Sequence, residues 1–320
     1  MPVMLREVLA WMRVEAGGVY LDGTLGGGGH SEEILSSGKD ITLYGIDRDP
    51  AAIAAARERL GCCPGFHAIH GNFHDAKALL RGVQAPPLSA ALLDLGVSSH
   101  QLDTPERGFS YHETAPLDMR MDPTGVTGGQ TAAEYLAGVS PQEFQRVLME
   151  YGEEKWAARI AQILEERRRV QPIRTTADLV GVVDSAIPKA VRRKDSGHSA
   201  RRTFQAVRIA VNDELAPLEN ALRDIASMLK PGGRILVITF HSLEDRIVKS
   251  TFRNMQNPCT CPPRAPLCTC GKKSLGRVLA GGAVKPGAEE VARNPRARSA
   301  TLRVFQSEAN EKLYPPAAWR

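Results

Sequence analysis

Within the first hundred residues, short apolar runs alternate with segments of helical spacing, and that alternation restricts the fold more than any other feature. Val19–Asp22 (VYLD) reads as a strand, followed by a glycine-rich turn and a helix from about Gly29 to Ser37. Ile41–Asp47 (ITLYGID) is a second strand. Pro50, suited to a first helical turn where no N–H is needed, opens an alanine-rich helix to about Leu60. His67–His70 and Ser89–Leu95 (SAALLDL) are a third and a fourth strand. Strands alternating with helices predict βαβ units and a parallel sheet buried on both faces.

The alternation stops near Thr104. From there to about Ala210 the apolar spacing is helical, with helices over Gln142–Tyr151, Glu153–Val170 and Thr176–Ile187. Ser140-Pro141, Gly152 and Thr175 mark their starts. The α/β pattern returns with a long helix over Asp213–Leu229, ended by Lys230-Pro231-Gly232-Gly233, and a fifth strand, GRILVITF. Ser242 is placed to cap the next helix, with Asp245 reaching back to it. ATLRVF (Ala300–Phe305) reads as a closing strand. The fold class is therefore α/β: a doubly wound sheet formed by 1–104 and 211–320, with an all-helical insertion over 105–210.

A chain of 320 residues, 42% hydrophobic and 24% charged, buries a sizeable core and is neither disordered nor a small stapled scaffold. Its longest apolar run, around Arg234–Phe240, is far short of the roughly 18 residues that cross a bilayer. Glu7 and Glu15 interrupt the N-terminal segment, so no export signal is read there and no membrane partner is expected. A cytoplasmic location with reduced thiols follows as the default. Cys259, Cys261, Cys268 and Cys270 form C-x-C-x6-C-x-C. Structural zinc usually takes C-x2-C, so a metal-free loop is favoured and no metal is assigned, zinc being the alternative.

The turn Asp22-Gly23-Thr24-Leu25-Gly26-Gly27-Gly28-Gly29-His30 sits where the first strand becomes the first helix, the ligand-binding edge of an open α/β sheet. The dinucleotide pattern G-x-G-x-x-G fails, because its third glycine falls on Ser31 or Glu32. The phosphate-loop pattern fails too, with no lysine until Lys39. Asp47 ends the second strand, where a carboxylate accepts from both hydroxyls of a ribose. Asp22 ends the first strand, and Asp94 lies at the end of the fourth. Acidic strand ends around such a turn fit a ligand with a ribose and no pyrophosphate. S-adenosylmethionine is such a ligand. Phe73, just after the third strand, lies where an adenine packs.

Lys+Arg exceed Asp+Glu by 5, and the excess is clustered. Residues 187–208 and 271–303 each carry a net +6, so the rest of the chain is acidic overall. Two basic segments on such a body suggest phosphate contacts.

DGTLGGGGHS, GIDRDP, HGNF, LLDLGVSSHQLD, RGFSY with PLDMRMD, HSARRTFQAVRIAVNDEL, FHSLEDRIVK and NPRARSATLR occur in this order from Asp22 to Arg303. On these motifs the chain resembles the RsmH (MraW) family, the N4-cytosine methyltransferases of bacterial small-subunit ribosomal RNA. The resemblance implies a class I (Rossmann-like) methyltransferase sheet with a helical, RNA-recognising insertion. It implies S-adenosylmethionine as donor, and as substrate a cytidine in the decoding (P-site) region of 16S rRNA in the small ribosomal subunit. The implied donor contacts are Gly28, Gly29, His30, Asp47, Phe73, Asp94 and Gln101. Some members carry a larger residue at the place of Gly27, and only some have the four cysteines.

Methylating an exocyclic amine requires a group that accepts charge or a proton as the nitrogen pyramidalises. The D-P-P-Y-like loop of the common amino-methyltransferases is Asp94-Leu95-Gly96-Val97 here, so the aromatic is missing. Asp94 or a neighbouring carbonyl is the first candidate acceptor and His241 the second. Arg192, Arg193, Lys194, Arg201, Arg202, Arg296 and Arg298 are the candidate RNA contacts. The rival readings are a non-catalytic RNA-binding assembly factor and an NAD-dependent oxidoreductase. The sequence leaves the oligomeric state open, a homodimer included.

Overall fold

The structure is a computed structural model that describes residues 2–126, 129–193, 198–262 and 267–308. The chain forms two compact units, Met1–Gly96 with Leu215–Arg320, and Val97–Glu214. The first unit begins with α1 (Leu5–Met12), β1 (Val19–Asp22), α2 (Gly29–Ser36), β2 (Thr42–Asp47), α3 (Pro50–Leu60), β3 (Phe66–His70), α4 (Ala76–Gly82) and β4 (Leu88–Asp94). The second unit holds α5 (Ser99–Asp103), α6 (Ala132–Gly138), α7 (Pro141–Gly152), α8 (Ala157–Arg168), α9 (Thr176–Ala186), α10 (Lys189–Arg192) and α11 (Arg201–Asn212). The chain then returns to the first unit with α12 (Leu218–Ala226), β5 (Leu229–Thr239), α13 (Ser242–Gln256), β6 (Gly276–Val278), α14 (Ala288–Arg293) and β7 (Thr301–Ser307).

The strands form one sheet in the order β3-β2-β1-β4-β5-β7-β6. β1 to β5 run parallel, and β7 is antiparallel to both β5 and β6. The strand order reverses between β1 and β4, which makes the carboxyl ends of those two strands the switch point where ligands bind. Both sheet faces are buried, as the near-continuous apolar strands require. On one face, Met4, Val8 and Met12 of the α1 segment join Tyr20, Leu43, Leu92, Leu236 and Ile238. On the other, Leu80, Leu222, Ile225, Val248 and Phe252 pack with Ile46, Leu93, Val237 and Phe305. Among the described residues, no helix is long and apolar enough to cross a membrane.

Several elements differ from the sequence expectation, each for a local reason. The helix expected from Glu153 begins at Ala157, because Gly152 closes α7 and Glu153, at φ +49°, takes the left-handed step after it. The long helix over Asp213–Leu229 is instead the shorter α12, because Asp213, at φ +48°, ends α11 in the left-handed region and Pro217 restarts the chain. β5 begins at Leu229: it pairs with Leu88, Arg234 pairs with Ala90, and Lys230–Gly233 form an irregularity inside the strand. The cap of α13 is His241 rather than Ser242, and the acid that reaches back is Glu244 rather than Asp245. Asp245 instead receives Arg303 of β7 through two bonds of 2.7 Å.

The second unit has its own core, built from Phe144, Val147 and Leu148 of α7, Ile160 and Leu164 of α8, Leu179 and Val183 of α9, and Phe204 and Val207 of α11. Its irregular segment around Met119–Met121 is tied to α11 by Asn212. The Asn212 amide oxygen accepts from Met121 N–H at 2.8 Å, and Nδ2 donates to the carbonyls of Met119 and Arg208 at 2.8 and 2.9 Å. Asn212→Ala should therefore lower the stability of this unit by roughly 1–3 kcal/mol for each buried backbone group left unpaired. Urea unfolding reads the loss, and an unchanged midpoint would contradict the anchoring role.

Candidate active site

The glycine turn is held between the two strands that flank β1. Asp22 pairs in register with Gly45 and with Leu92, so Asp47 and Asp94 both lie two residues further along their own strands. Gly23 N–H donates to Leu92 O of β4, and Leu25 N–H to Ile46 O of β2. Side chains repeat the arrangement. Asp94 N–H donates to Thr24 Oγ1 at 2.6 Å, and Gly26 N–H donates to Asp47 Oδ2 at 2.7 Å. Gly28, at φ +78°, makes the left-handed step into α2, and a Cβ there would meet Leu60 at 3.0 Å. A Cβ on Gly27 would meet nothing within 4 Å, so the turn leaves open space there.

Three carboxyls lie at these strand ends, Asp22 buried and Asp47 and Asp94 half-buried. Asp22 is 1% exposed; its Oδ1 accepts from Thr24 N–H at 3.2 Å and its Oδ2 from the Ser31 hydroxyl at 2.7 Å, and burial raises its pKa. Asp47 also accepts from Asp49 N–H at 2.8 Å, yet burial pushes it up to about 6. Asp94 is pushed further, to about 7, by burial first; His30 opposes the shift, while Asp22 and Glu244 add to it. Asp94 Oδ1 is buried with no hydrogen-bond partner, and its Oδ2 lies 3.8 Å from His30 Nδ1. His30 Nε2 lies 2.9 Å from Val3 O, which accepts only, so Nε2 carries a proton and Nδ1 is the nitrogen facing Asp94.

Phe73 begins a short 3-10 turn after β3 and approaches the end of β1: its Cβ would lie 3.2 Å from a Cβ on Gly23. Gln101 belongs to the second unit, where its amide oxygen accepts from Ser98 N–H at 3.0 Å in a capping box at the start of α5. His241 follows β5 directly, but its ring serves its own helix. Nδ1 accepts from Glu244 N–H at 3.5 Å, and Nε2 is 3.0 Å from Glu244 Oε1. Glu244, 2% exposed and within electrostatic reach of Asp94, was missed in the sequence, although the H-x-x-E spacing of a cap marks it.

The basic residues divide by what they touch. Arg192 is bound to Asp184 at 2.7 Å and donates to Ile187 O at 3.1 Å. Arg208 is paired with Glu214, and Arg303 with Asp245. Arg193, Arg201, Arg296 and Arg298 are exposed and Arg202 is half-buried, while Lys194 lies outside the described residues. Phe204 is 4% exposed and belongs to the core of the second unit. The four clustered cysteines fall outside this site, in the segment between α13 and β6.

A parallel sheet in this order, with an antiparallel seventh strand and a glycine turn between acidic strand ends at the switch point, is the class I (Rossmann-like) methyltransferase fold. The chain belongs to the MraW methylase family, whose model matches residues 1–308, and S-adenosylmethionine is its methyl donor. Its relatives include the ribosomal RNA small subunit methyltransferase H of Trichlorobacter lovleyi, 52% identical over 308 residues, covering 95% of this chain and 96% of that one. The protein of the same name from Symbiobacterium thermophilum is 49% identical over 314 residues, covering 97% and 98%. A solved rRNA methylase from Streptococcus thermophilus is similar at 10% identity with a TM-score of 0.42, over 97% of this chain and 98% of that one.

The raised pKa of Asp94 has a consequence for stability. Its carboxyl supports the donor-free fold while protonated, below its unfolded value near 4, and that support is lost as pH rises through about 7. Asp94→Asn, uncharged and of the same size, should raise the melting temperature at pH 8 and leave it little changed near pH 4. Equal shifts at both pH values would contradict the burial of an ionising carboxyl.

Proposed function

We propose that this chain methylates the exocyclic N4 of a cytidine in the decoding region of small-subunit 16S rRNA, and that the helical unit supplies RNA recognition. The observation that carries the reading is the unpartnered, buried Asp94 Oδ1 beside the glycine turn. A buried acceptor left empty costs about 1–3 kcal/mol, so it marks a place where a ligand or substrate group belongs. The relatives named above are, by name, small-subunit ribosomal RNA methyltransferases, which supports an RNA substrate.

The residues present fit the donor. Asp47 is placed to accept from ribose hydroxyls, Phe73 to lie against the adenine, and the Gly28-Gly29 backbone to let the ligand approach closely. S-adenosylmethionine supplies a methyl group made electrophilic by its sulfonium. The chain must then hold the cytosine amine in line and take the proton it loses. Asp94, raised to about 7, is matched to that task near neutral pH, with His30 Nδ1 3.8 Å away. His241 caps α13 through Nδ1, and its buried Nε2, 3.0 Å from Glu244 Oε1, makes no hydrogen bond; Asp94, beside the glycine turn, is the proposed acceptor and His241 the alternative. Arg193, Arg201 and Arg298 are the exposed cations proposed to meet phosphates, joined by Arg202 and Arg296.

Asp47→Ala should weaken S-adenosylmethionine binding by roughly 1–3 kcal/mol, about 5- to 150-fold in Kd by calorimetry. Unchanged affinity in a folded variant removes the ribose assignment.

Single-turnover methylation of small ribosomal subunits tests the acceptor. The rate should rise with pH to a plateau, with an apparent pKa no higher than about 7, because a bound cation lowers that of Asp94. Asp94→Asn should slow the step by roughly 10²-fold or more. His241→Ala should chiefly cost the cap, about 1 kcal/mol of stability. A near-normal rate for Asp94→Asn beside an inactive, donor-binding His241→Ala would move the acceptor to the loop after β5.

A further inference from the structure

The sequence spacing of Cys259, Cys261, Cys268 and Cys270 favoured a metal-free loop, but the fold brings their sulfurs together. The four Sγ atoms all lie within 4.8 Å of one another. Cys268 Sγ is 3.6 Å from Cys259, 3.8 Å from Cys261 and 3.5 Å from Cys270, and Cys270 Sγ is 3.8 Å from Cys259. These separations are far from the roughly 2.05 Å of a disulfide. They match the edge of a tetrahedron of thiolates around zinc: a Zn–S distance near 2.3 Å gives S···S of about 3.8 Å.

Among the described residues, no apolar packing accounts for the gathering. All four residues are exposed or half-exposed, so no apolar core draws them in, and thiols bond one another only weakly. The C-x-C spacing also works geometrically. Each pair holds two sulfurs close together and the two pairs face one another, so four sulfurs converge on one point. The segment closes on itself at its base, where Leu275 N–H donates to the Met255 carbonyl at 2.9 Å. Backbone N–H groups point at the sulfurs: Thr269 N–H lies 3.3 Å from Cys261 Sγ, and those of Lys272 and Thr260 serve Cys270. Exposed Lys272 and Lys273 follow directly, placed to offset the double negative charge of a zinc tetrathiolate.

We propose that Cys259, Cys261, Cys268 and Cys270 bind one zinc ion in a closed tetrahedral site that fastens the segment between α13 and β6. The step is ligand exchange without redox: the four thiols lose their protons to solvent, and the thiolates replace the water molecules of the hydrated zinc ion, forming four Zn–S bonds. With all four positions taken by protein, the ion is structural and takes no part in methyl transfer.

The full chain, purified reduced and without chelators, should contain about one zinc per chain by mass spectrometry. Of its six cysteines, only Cys62 and Cys63 should then react quickly with a thiol reagent, and all six after chelation. Metal-free protein given cobalt(II) should develop the absorption of a tetrahedral cobalt thiolate, and Cys261→Ser combined with Cys268→Ser should abolish it. Six fast thiols with no metal and no cobalt absorption would overturn the proposal. So would a disulfide among the four, or iron with acid-labile sulfide in place of zinc.

Discussion

Three carboxyls at the ends of three adjacent parallel strands, Asp22 buried and Asp47 and Asp94 half-buried, are the constraint on which the rest of the site depends. Asp22, Asp47 and Asp94 close β1, β2 and β4, and the chain leaving β1 is fixed by bonds to both neighbours. Burying charge costs several kcal/mol unless it is paired, and here the pairing is incomplete. Asp22 has Ser31 and Thr24, Asp47 has two backbone N–H groups, and Asp94 has one oxygen with no partner and His30 at 3.8 Å from the other. The raised pKa values of all three register that shortfall. A protein tolerates such a deficit where a ligand makes it good, and strand ends at a switch point are where an α/β sheet receives one.

The covering of the sheet supports the same geometry. α1 packs under the strands through Met4, Val8 and Met12, and the chain just before it supplies the Val3 carbonyl that orients His30. Pro2 lies so close to the turn that a Cβ on Gly29 would approach it to 2.9 Å. The N-terminal segment therefore shapes the glycine turn from outside while its apolar face fills the core. Behind β5, Glu244 bonds Phe240 N–H at 2.9 Å and holds the start of α13, adding a fourth carboxyl to the field that Asp94 senses.

Much of this was legible in the sequence because it is local. Strand ends, the failed dinucleotide spacing and the acids at positions 22, 47 and 94 follow from periodicity and position alone. What was not legible depends on partners distant in the chain or on competition between neighbours. His241 and Ser242 can each start a cap, with Glu244 or Asp245 three residues on; Arg303, far away on β7, takes Asp245 and leaves Glu244 for the cap. Charge counting treated Arg192, Arg208 and Arg303 as free cations, although each is held by an acid. The spacing of the cysteines says nothing of four sulfurs converging, because that depends on how the segment folds back on itself.

The most direct test of the central claim is the proton balance of donor binding. The raised pKa of Asp94, about 7, leaves a bound proton to release near neutral pH without ligand. The sulfonium of S-adenosylmethionine should lower its pKa and expel a proton, whereas neutral S-adenosylhomocysteine should expel much less. Calorimetry at pH 7 in buffers of different ionisation enthalpy measures this directly. The account predicts clear proton release with S-adenosylmethionine, less with S-adenosylhomocysteine, and loss of the difference in Asp94→Asn. Equal proton release for both ligands, or a difference that survives Asp94→Asn, would contradict it.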